Sequence, residues 1–319
     1  MTTTEPRPDL HNTRHYEVRH TTEYVYEDYV TASYSRACLR PRSTDHQKVV
    51  SNVIEVTPSA NVMSEHTDFF GNYSHYLEIR TRHTRFAVTK RSELEITWPQ
   101  VDVEALNRWT VATAREELRS TAAGFDLDHA RYLLPSRLVD VTPMVAAYAV
   151  EHLPDNKPLG DALVHLYELI YSDYKYAKGA TSTTTTLEEV IEGKAGVCQD
   201  FAHLAAGMAR HVGLPARYVS GYIETVPPPG KPKLAGSDAT HAWTSIRTPL
   251  GWVDLDPTNN HFADSRYIVT AWGRDFRDVS PLKGIIFSEG SGSTLHVAVD
   301  VIPLTKERAH RQPELGDLG

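Results

Sequence analysis

The side-chain period of this chain changes at Pro99, and that change limits what it can fold into. Upstream, polar and apolar residues alternate. The run His15-Tyr16-Glu17-Val18-Arg19-His20 does so, and Tyr, Val and Thr stay abundant through Val30. A period of two puts successive side chains on opposite faces of a strand. Gln47 to Val56 reads as another strand, stopped by Pro58, which has no N–H to give a ladder. Gly71-Asn72 marks a turn ahead of two β-prone runs, Tyr73 to Ile79 and Thr84 to Trp98. Residues 14–100 are therefore expected to form an antiparallel β domain, a sandwich or small barrel.

Beyond Pro99 helical periods appear. Glu104 to Thr121 and Pro143 to His152 are predicted helices of a connector spanning 101–154. Leu159 to Tyr171 is amphipathic, with Leu163, Leu166, Tyr167 and Ile170 on one face. Asn156 is its expected N-cap and Pro158 its first-turn residue. Thr186-Leu187-Glu188-Glu189 fits a capping box that opens a helix to about Glu192. Strands are expected at Ala216 to Glu224, Ala242 to Arg247, Gly251 to Asp256, Tyr267 to Trp272 and Thr294 to Ile302. These make an α+β domain over residues 155–303. Val226 to Ala239, rich in Pro, Gly and Lys, is expected to be a mobile surface loop. Residues 1–13 are expected to be disordered, and 304–319 a frayed tail.

Composition narrows the function. The 319 residues have room for two domains. A net charge of −8 argues against a nucleic-acid binder, which needs a basic face. Thr2 to Arg14 has no apolar signal region, and the longest helical apolar stretch, Met144 to Val150, is far too short to span a bilayer. A cytoplasmic protein without membrane or nucleic-acid partners is expected. There a reducing medium keeps Cys38 and Cys198 as thiols, and two thiols cannot form a zinc cluster.

Gly196-Val197-Cys198-Gln199-Asp200-Phe201 opens a helix. Its apolar stripe is Phe201, Leu204, Ala205, Met208 and Val212; Gly213 and Pro215 stop it. Cys198 falls in the first turn, where unpaired N–H groups and the dipole favour a thiolate. Asp200 opposes that effect. Alone, such a cysteine is more often an inert core residue than a nucleophile, and a nucleophile needs a base.

His241 is the candidate. It opens the strand His241-Ala242-Trp243-Thr244-Ser245-Ile246-Arg247, and Trp252-Val253-Asp254-Leu255-Asp256 returns after a short turn. A hairpin that pairs Thr248 with Gly251 places Asp256 one diagonal step from His241 on the same face, within reach of its ring. Asp254 would face Ser245, roughly 13 Å along the strand from His241. Asp256 is thus the better partner to orient the imidazole, and Pro257 ends the strand behind it.

The remaining histidines rank lower. His203 reads as a surface or packing residue, His211 as a helix C-terminal residue, and His261 as a minor alternative base. His11, His15 and His20 lack a compact ligand spacing. Cys38 reads as core, and Trp243 and Trp252 as structural aromatics that flank the site.

These segments resemble the transglutaminase-like superfamily of papain-related cysteine acyltransferases. The match is carried by Gly196 to Leu204, Gly213-Leu214-Pro215-Ala216-Arg217, His241-Ala242-Trp243 and Gly251 to Thr258, with Cys198, His241 and Asp256 separated by 43 and 15 residues. Tyr16 to Pro41 also resembles the β-rich N-terminal domain of a bacterial branch. The resemblance implies a papain-like α+β core. It implies Cys198 as nucleophile, His241 as base and acid, Asp256 as orienter, and a thioester intermediate from an amide of a peptide, protein or other substrate. The Cys198 N–H is an implied oxyanion donor, with Gln199, Tyr174 or Tyr176 open as the second. No acidic cluster resembles the calcium sites of animal transglutaminases, so no metal or other cofactor is expected. Hydrolysis is placed ahead of transfer to an amine; a non-catalytic scaffold is the remaining reading.

Overall fold

The computed structural model describes residues 9–120, 127–225, 235–236, 238–290 and 292–305. Five strands open it: β1 (Arg14–Ala37), β2 (Gln47–Thr57), β3 (Val62–Thr67), β4 (Tyr73–Ile79) and β5 (His83–Ile96). Helices α1 (Val103–Leu106), α2 (Val111–Ser120), α3 (Leu127–Ala130), α4 (Pro143–His152) and α5 (Leu159–Asp173) follow. The pair β6 (Lys175–Tyr176) and β7 (Ala195–Gly196) brackets α6 (Leu187–Gly193), and α7 (Cys198–His211) comes next. A second sheet holds β8 (Ala216–Ile223), β9 (Thr240–Thr248), β10 (Gly251–Asp256), β11 (His261–Phe262) and β12 (Tyr267–Gly273). The chain closes with α8 (Phe276–Val279), β13 (Leu282–Ser288) and β14 (Ser293–Pro303).

The long strand β1 is the spine of the first, seven-stranded sheet. Its first half lies between β5 and β14, its second half between β4 and β13, all antiparallel. The segment Thr294 to Ile302 is a strand, as expected, but it pairs with β1 and not with the second sheet. β13 does the same. The last strands therefore return to the first sheet, and the boundary drawn at residue 303 does not follow the pairing. Burial explains the return: Val299 and Val301 pack beside Tyr16 and Val18, and all four are fully buried.

The helix expected from Glu104 to Thr121 is two helices, and Thr121 lies outside the described residues. Between them the Trp109 carbonyl accepts the Leu159 N–H at 2.8 Å. The N–H groups of Val111 and Ala112 go to the carbonyls of Lys157 and Asp155, each at 3.0 Å. The same contacts displace the expected cap: Pro158, in an extended conformation, is the N-cap of α5, and Asn156 lies upstream in the paired loop. At α6 both halves of the capping box form, with the Thr186 N–H 2.7 Å from the Glu189 carboxylate and the Glu189 N–H 3.3 Å from the Thr186 hydroxyl.

At the N-terminus, Leu10 and His11 are tied down. Ser265 N–H donates to the Leu10 carbonyl at 2.8 Å, and His11 Nδ1 lies 3.1 Å from the Trp98 carbonyl. Most of the loop expected from Val226 to Ala239 lies outside the described residues, as does the tail beyond residue 305. Gly236 and Asp238 are described and bond to β14 at Asp300 and Val299.

The second sheet runs in the order β11-β10-β9-β8-β12 and is covered on both faces. On one side Ala216, Ile246, Val253 and Leu255 meet the helical layer. Helix α7 lies there, and every residue from Asp200 to Arg210 is buried. On the other side Val219, Trp243, Tyr267 and Ile268 meet Tyr16, Val18, Leu94 and Ile96 of the first sheet. This three-layer sandwich holds the start of α7 over the sheet that carries His241 and Asp256.

Candidate active site

Cys198 is the first residue of α7, and the residues before it explain its position. Val197 is extended and serves as N-cap. Its N–H donates to the Asp200 carboxylate at 2.8 Å, and the Thr181 hydroxyl donates to the same oxygen at 2.6 Å. Asp200 is thus a buried clasp between the helix start and the loop after β6. Burial raises its pKa, while the two hydrogen bonds pull the other way. Gly196 must lack a side chain, since a Cβ there would lie 2.9 Å from the Asp200 carboxylate.

The thiol is half-buried on an apolar bed of Cys38, Ala202, Tyr218, Ala242, Ala271 and Val279, with Phe276 alongside. Of the candidates for a second oxyanion donor, Tyr176 is placed beside Cys198 by the parallel pairing of β6 with β7, where it stands opposite Gly196. Burial raises its phenol pKa first, and the charges of Cys198 and Asp200 add to that. Tyr174 is turned away; its hydroxyl meets Lys194 Nζ at 3.2 Å.

His241 sits near the start of β9 and Asp256 at the end of β10. The hairpin pairs Thr248 with Gly251 and Ser245 with Asp254, the register expected from the turn. Nε2 of His241 lies 2.6 Å from Oδ2 of Asp256. Asp254 is committed elsewhere: it accepts the Trp243 indole N–H at 2.7 Å and the Ser245 hydroxyl.

Asp256 is fully buried, yet it collects more hydrogen bonds than the hairpin alone provides. Tyr267 OH donates at 2.6 Å, Asn259 Nδ2 at 2.6 Å, and the Thr258 N–H at 2.8 Å. Burial opposes its charge most, but His241 and the Tyr267 and Asn259 hydrogen bonds outweigh burial, and its pKa falls to about 2. For His241 burial again opposes the charge. Asp256, aided by the nearby Cys198 thiol, outweighs it and pushes the imidazole up to about 10. With Nε2–H given to Asp256, Nδ1 is the nitrogen left for the thiol.

Tyr267 and Asn259 were not foreseen. The run Asp256-Pro257-Thr258-Asn259 does carry a signal, an Asx turn in which the carboxylate takes the N–H two residues on. Tyr267 carries no local signal; it reaches Asp256 from β12, across the sheet.

The other singled-out residues stand outside the His241–Asp256 hydrogen bond. His261 stands opposite Asp256 in the β10–β11 pair, but its Nδ1 is taken by the Phe262 carbonyl at 2.7 Å. Buried His203 accepts the Phe276 N–H at 3.1 Å through Nε2, and burial pushes its pKa down to about 3. It is a packing residue and not a surface one. His211 is exposed at the end of α7. His20 is buried against the Tyr222 hydroxyl at 2.8 Å. Cys38 is core, and burial pushes its thiol up to about 11. Trp243 is fully buried; Trp252 is half-buried.

Comparison with known proteins bears on the family and the fold. Residues 16–95 match the bacterial transglutaminase-like N-terminal region, and residues 146–257 match the transglutaminase-like superfamily core. An uncharacterised protein of Mycobacterium tuberculosis is 39% identical over 310 residues, covering 94% of this chain and 96% of its own. The chain belongs to the transglutaminase-like superfamily. A Mycobacterium leprae relative is 33% identical over 290 residues, covering 90% of this chain and 98% of its own. The crystal structure of a candidate cysteine protease from Cytophaga hutchinsonii covers 92% of each chain with a TM-score of 0.73 at 21% identity, which supports the same transglutaminase-like fold. Among the described residues no helix is long and apolar enough to cross a membrane.

Proposed function

We propose that this superfamily member is a cysteine hydrolase that cleaves an amide bond of a peptide, protein or other amide substrate through a thioester on Cys198. The observation that carries the reading is the buried His241–Asp256 contact at 2.6 Å beside the half-buried thiol at a helix N-terminus.

The chemistry follows from those positions. A free thiol is only a few per cent thiolate at neutral pH. An imidazolium held by Asp256 stabilises the thiolate beside it. The sulfur attacks the carbonyl carbon, and the oxyanion is met by the Cys198 N–H, which has no backbone partner among the described residues. Tyr176 is the second donor in this reading. His241 gives its proton to the departing nitrogen as the C–N bond breaks. Water then attacks the thioester carbonyl, His241 takes its proton, and the acid leaves as the thiolate is restored. A cytoplasmic compartment is part of this proposal; its reducing medium would keep Cys38 and Cys198 as thiols.

The test is incubation with an amide substrate and a labelled primary amine. Product acid without label incorporation, and an acyl group trapped on Cys198 by mass spectrometry, are expected. Label in the product would instead make the protein a transferase. No acyl-enzyme and no turnover with any amide would leave a binding or scaffold protein.

A further inference from the structure

Arg217 leaves β8 on the face opposite Cys198. Its neighbour Tyr218 packs in the apolar bed under the thiol, and a strand sends successive side chains to opposite faces. Arg217 stands opposite Ser245, four residues along β9 from His241, or roughly 13 Å at strand rise.

Its guanidinium carbon lies 3.6 Å from the centre of the Trp272 ring and 4.1 Å from that of Trp252. Arg42, from the loop between β1 and β2, covers Trp272 at 3.8 Å. The result is a layered stack, Arg42–Trp272–Arg217–Trp252. Arg217 is 9% exposed, and its Nε has no hydrogen-bond partner. Asp254 is the carboxylate that compensates its charge most, yet its oxygens are committed to Trp243 and Ser245. Burial therefore lowers the Arg217 pKa to about 10.

A buried guanidinium without a hydrogen-bonded counter-charge is unfavourable, and ring stacking offsets only part of that. A cavity of about 430 Å³ opens on this stack. Arg42, Arg217, Trp252 and Trp272 line it together with Phe70 and Tyr132, and no carboxylate is present among its described lining residues. Arg42 uses Nη1 on the Phe70 carbonyl at 3.0 Å and the Asn72 side chain at 2.7 Å; Nη2 takes no part in these bonds.

We propose that this cavity, at the junction of the two sheets, binds the oxyanion of a small organic molecule, a carboxylate or a phosphate group, through Arg217 and Arg42. The stacked indoles fix both guanidinium planes, so their N–H edges are set for a planar or tetrahedral anion before it arrives. The proposal is independent of the Cys198 chemistry.

The experiment is titration of the full chain with inorganic phosphate and, separately, with benzoate, followed by calorimetry and tryptophan fluorescence, since Trp252 and Trp272 flank the site. Saturable binding of either probe is expected, weaker at high salt. Phosphate alone would assign a phosphate group, benzoate alone a carboxylate. Affinity should fall about tenfold or more in Arg217→Met. That variant's own melting temperature should hold or rise, because a buried charge is gone. Absence of saturable binding by the wild-type chain overturns the site. So does unchanged affinity in both Arg217→Met and Arg42→Gln; the latter decides if the former does not fold.

Discussion

His241 Nε2 meets Asp256 Oδ2 at 2.6 Å where both side chains are almost wholly removed from water. The contact selects the tautomer and leaves Nδ1 for Cys198. Asp256→Asn keeps the shape and removes the charge. The His241 pKa should then drop from about 10 toward its ordinary value. Turnover at neutral pH should fall about 10²–10⁴-fold, as when a triad carboxylate is made an amide. Iodoacetamide alkylation of Cys198 across pH is the check. A variant alkylated near pH 6 as fast as the wild type would remove Asp256 from the activation of the thiol.

Tyr267 positions Asp256 and does not touch the thiol. Tyr267→Phe removes one hydrogen bond to a buried carboxylate, worth about 1.5–3 kcal/mol. The rate should fall roughly tenfold. The acid limb of the pH–rate profile should also move upward, because Asp256 loses a donor that lowers its pKa. A purely structural tyrosine would lower stability and leave that limb in place.

The difference between what the hairpin and β12 contribute shows what was legible in the sequence. A two-residue turn between alternating strands sets register locally, so the sequence alone separates Asp256 from Asp254. The capping box at Thr186 was readable for the same reason. Tyr267 was not, because β12 joins the sheet beyond β8, with β8 and β9 between it and β10. Nor was the return of β13 and β14 to β1, a contact between distant chain segments such as Thr31 and Phe287, 256 residues apart. The break at Trp109 arose from hydrogen bonds to the loop before α5, which no helical period records.

The ion pair also predicts how stability follows pH. Asp256 is depressed, so its contribution is present above its ordinary 3.8 and is lost as pH falls toward about 2. His241 is raised, so its contribution is complete below its ordinary 6.5 and is lost as pH rises through about 10. The pair therefore stabilises most between those ordinary values. Urea midpoints of wild type and Asp256→Asn should differ most in that window and converge at both extremes. A constant difference across pH would sink the assignment.

The two thiols should behave differently. Cys38 is 1% exposed and its pKa is pushed up to about 11, whereas Cys198 is half-buried at the site. Intact-mass analysis after brief iodoacetamide treatment near neutral pH should show one adduct, mapped to Cys198. Unfolding in guanidinium should add the second. Two adducts on the native chain would show that the bed beneath the site opens readily.

Gly221 tests how tightly the second sheet must close. It pairs with His241 on one side and Val269 on the other. A Cβ there would meet the Ile268 carbonyl oxygen at 1.9 Å and the Trp243 ring at 2.8 Å. Neither can yield, since one is backbone within the β8–β12 ladder and the other is a fully buried indole whose N–H is held by Asp254. Gly221→Ala should therefore cost about 3 kcal/mol or more, the upper end for overpacking. It should also slow Cys198 alkylation, because the strand that seats His241 shifts. Gly193→Ala is the matched control: beyond its chain neighbours and its own helix backbone, nothing lies within 4 Å of its Cβ position, at the end of α6. Replacing a helical glycine should be neutral or stabilising by up to ~1 kcal/mol. Urea unfolding of the two variants, run beside the alkylation assay, separates a packing limit at β8 from a general intolerance of added methyl groups.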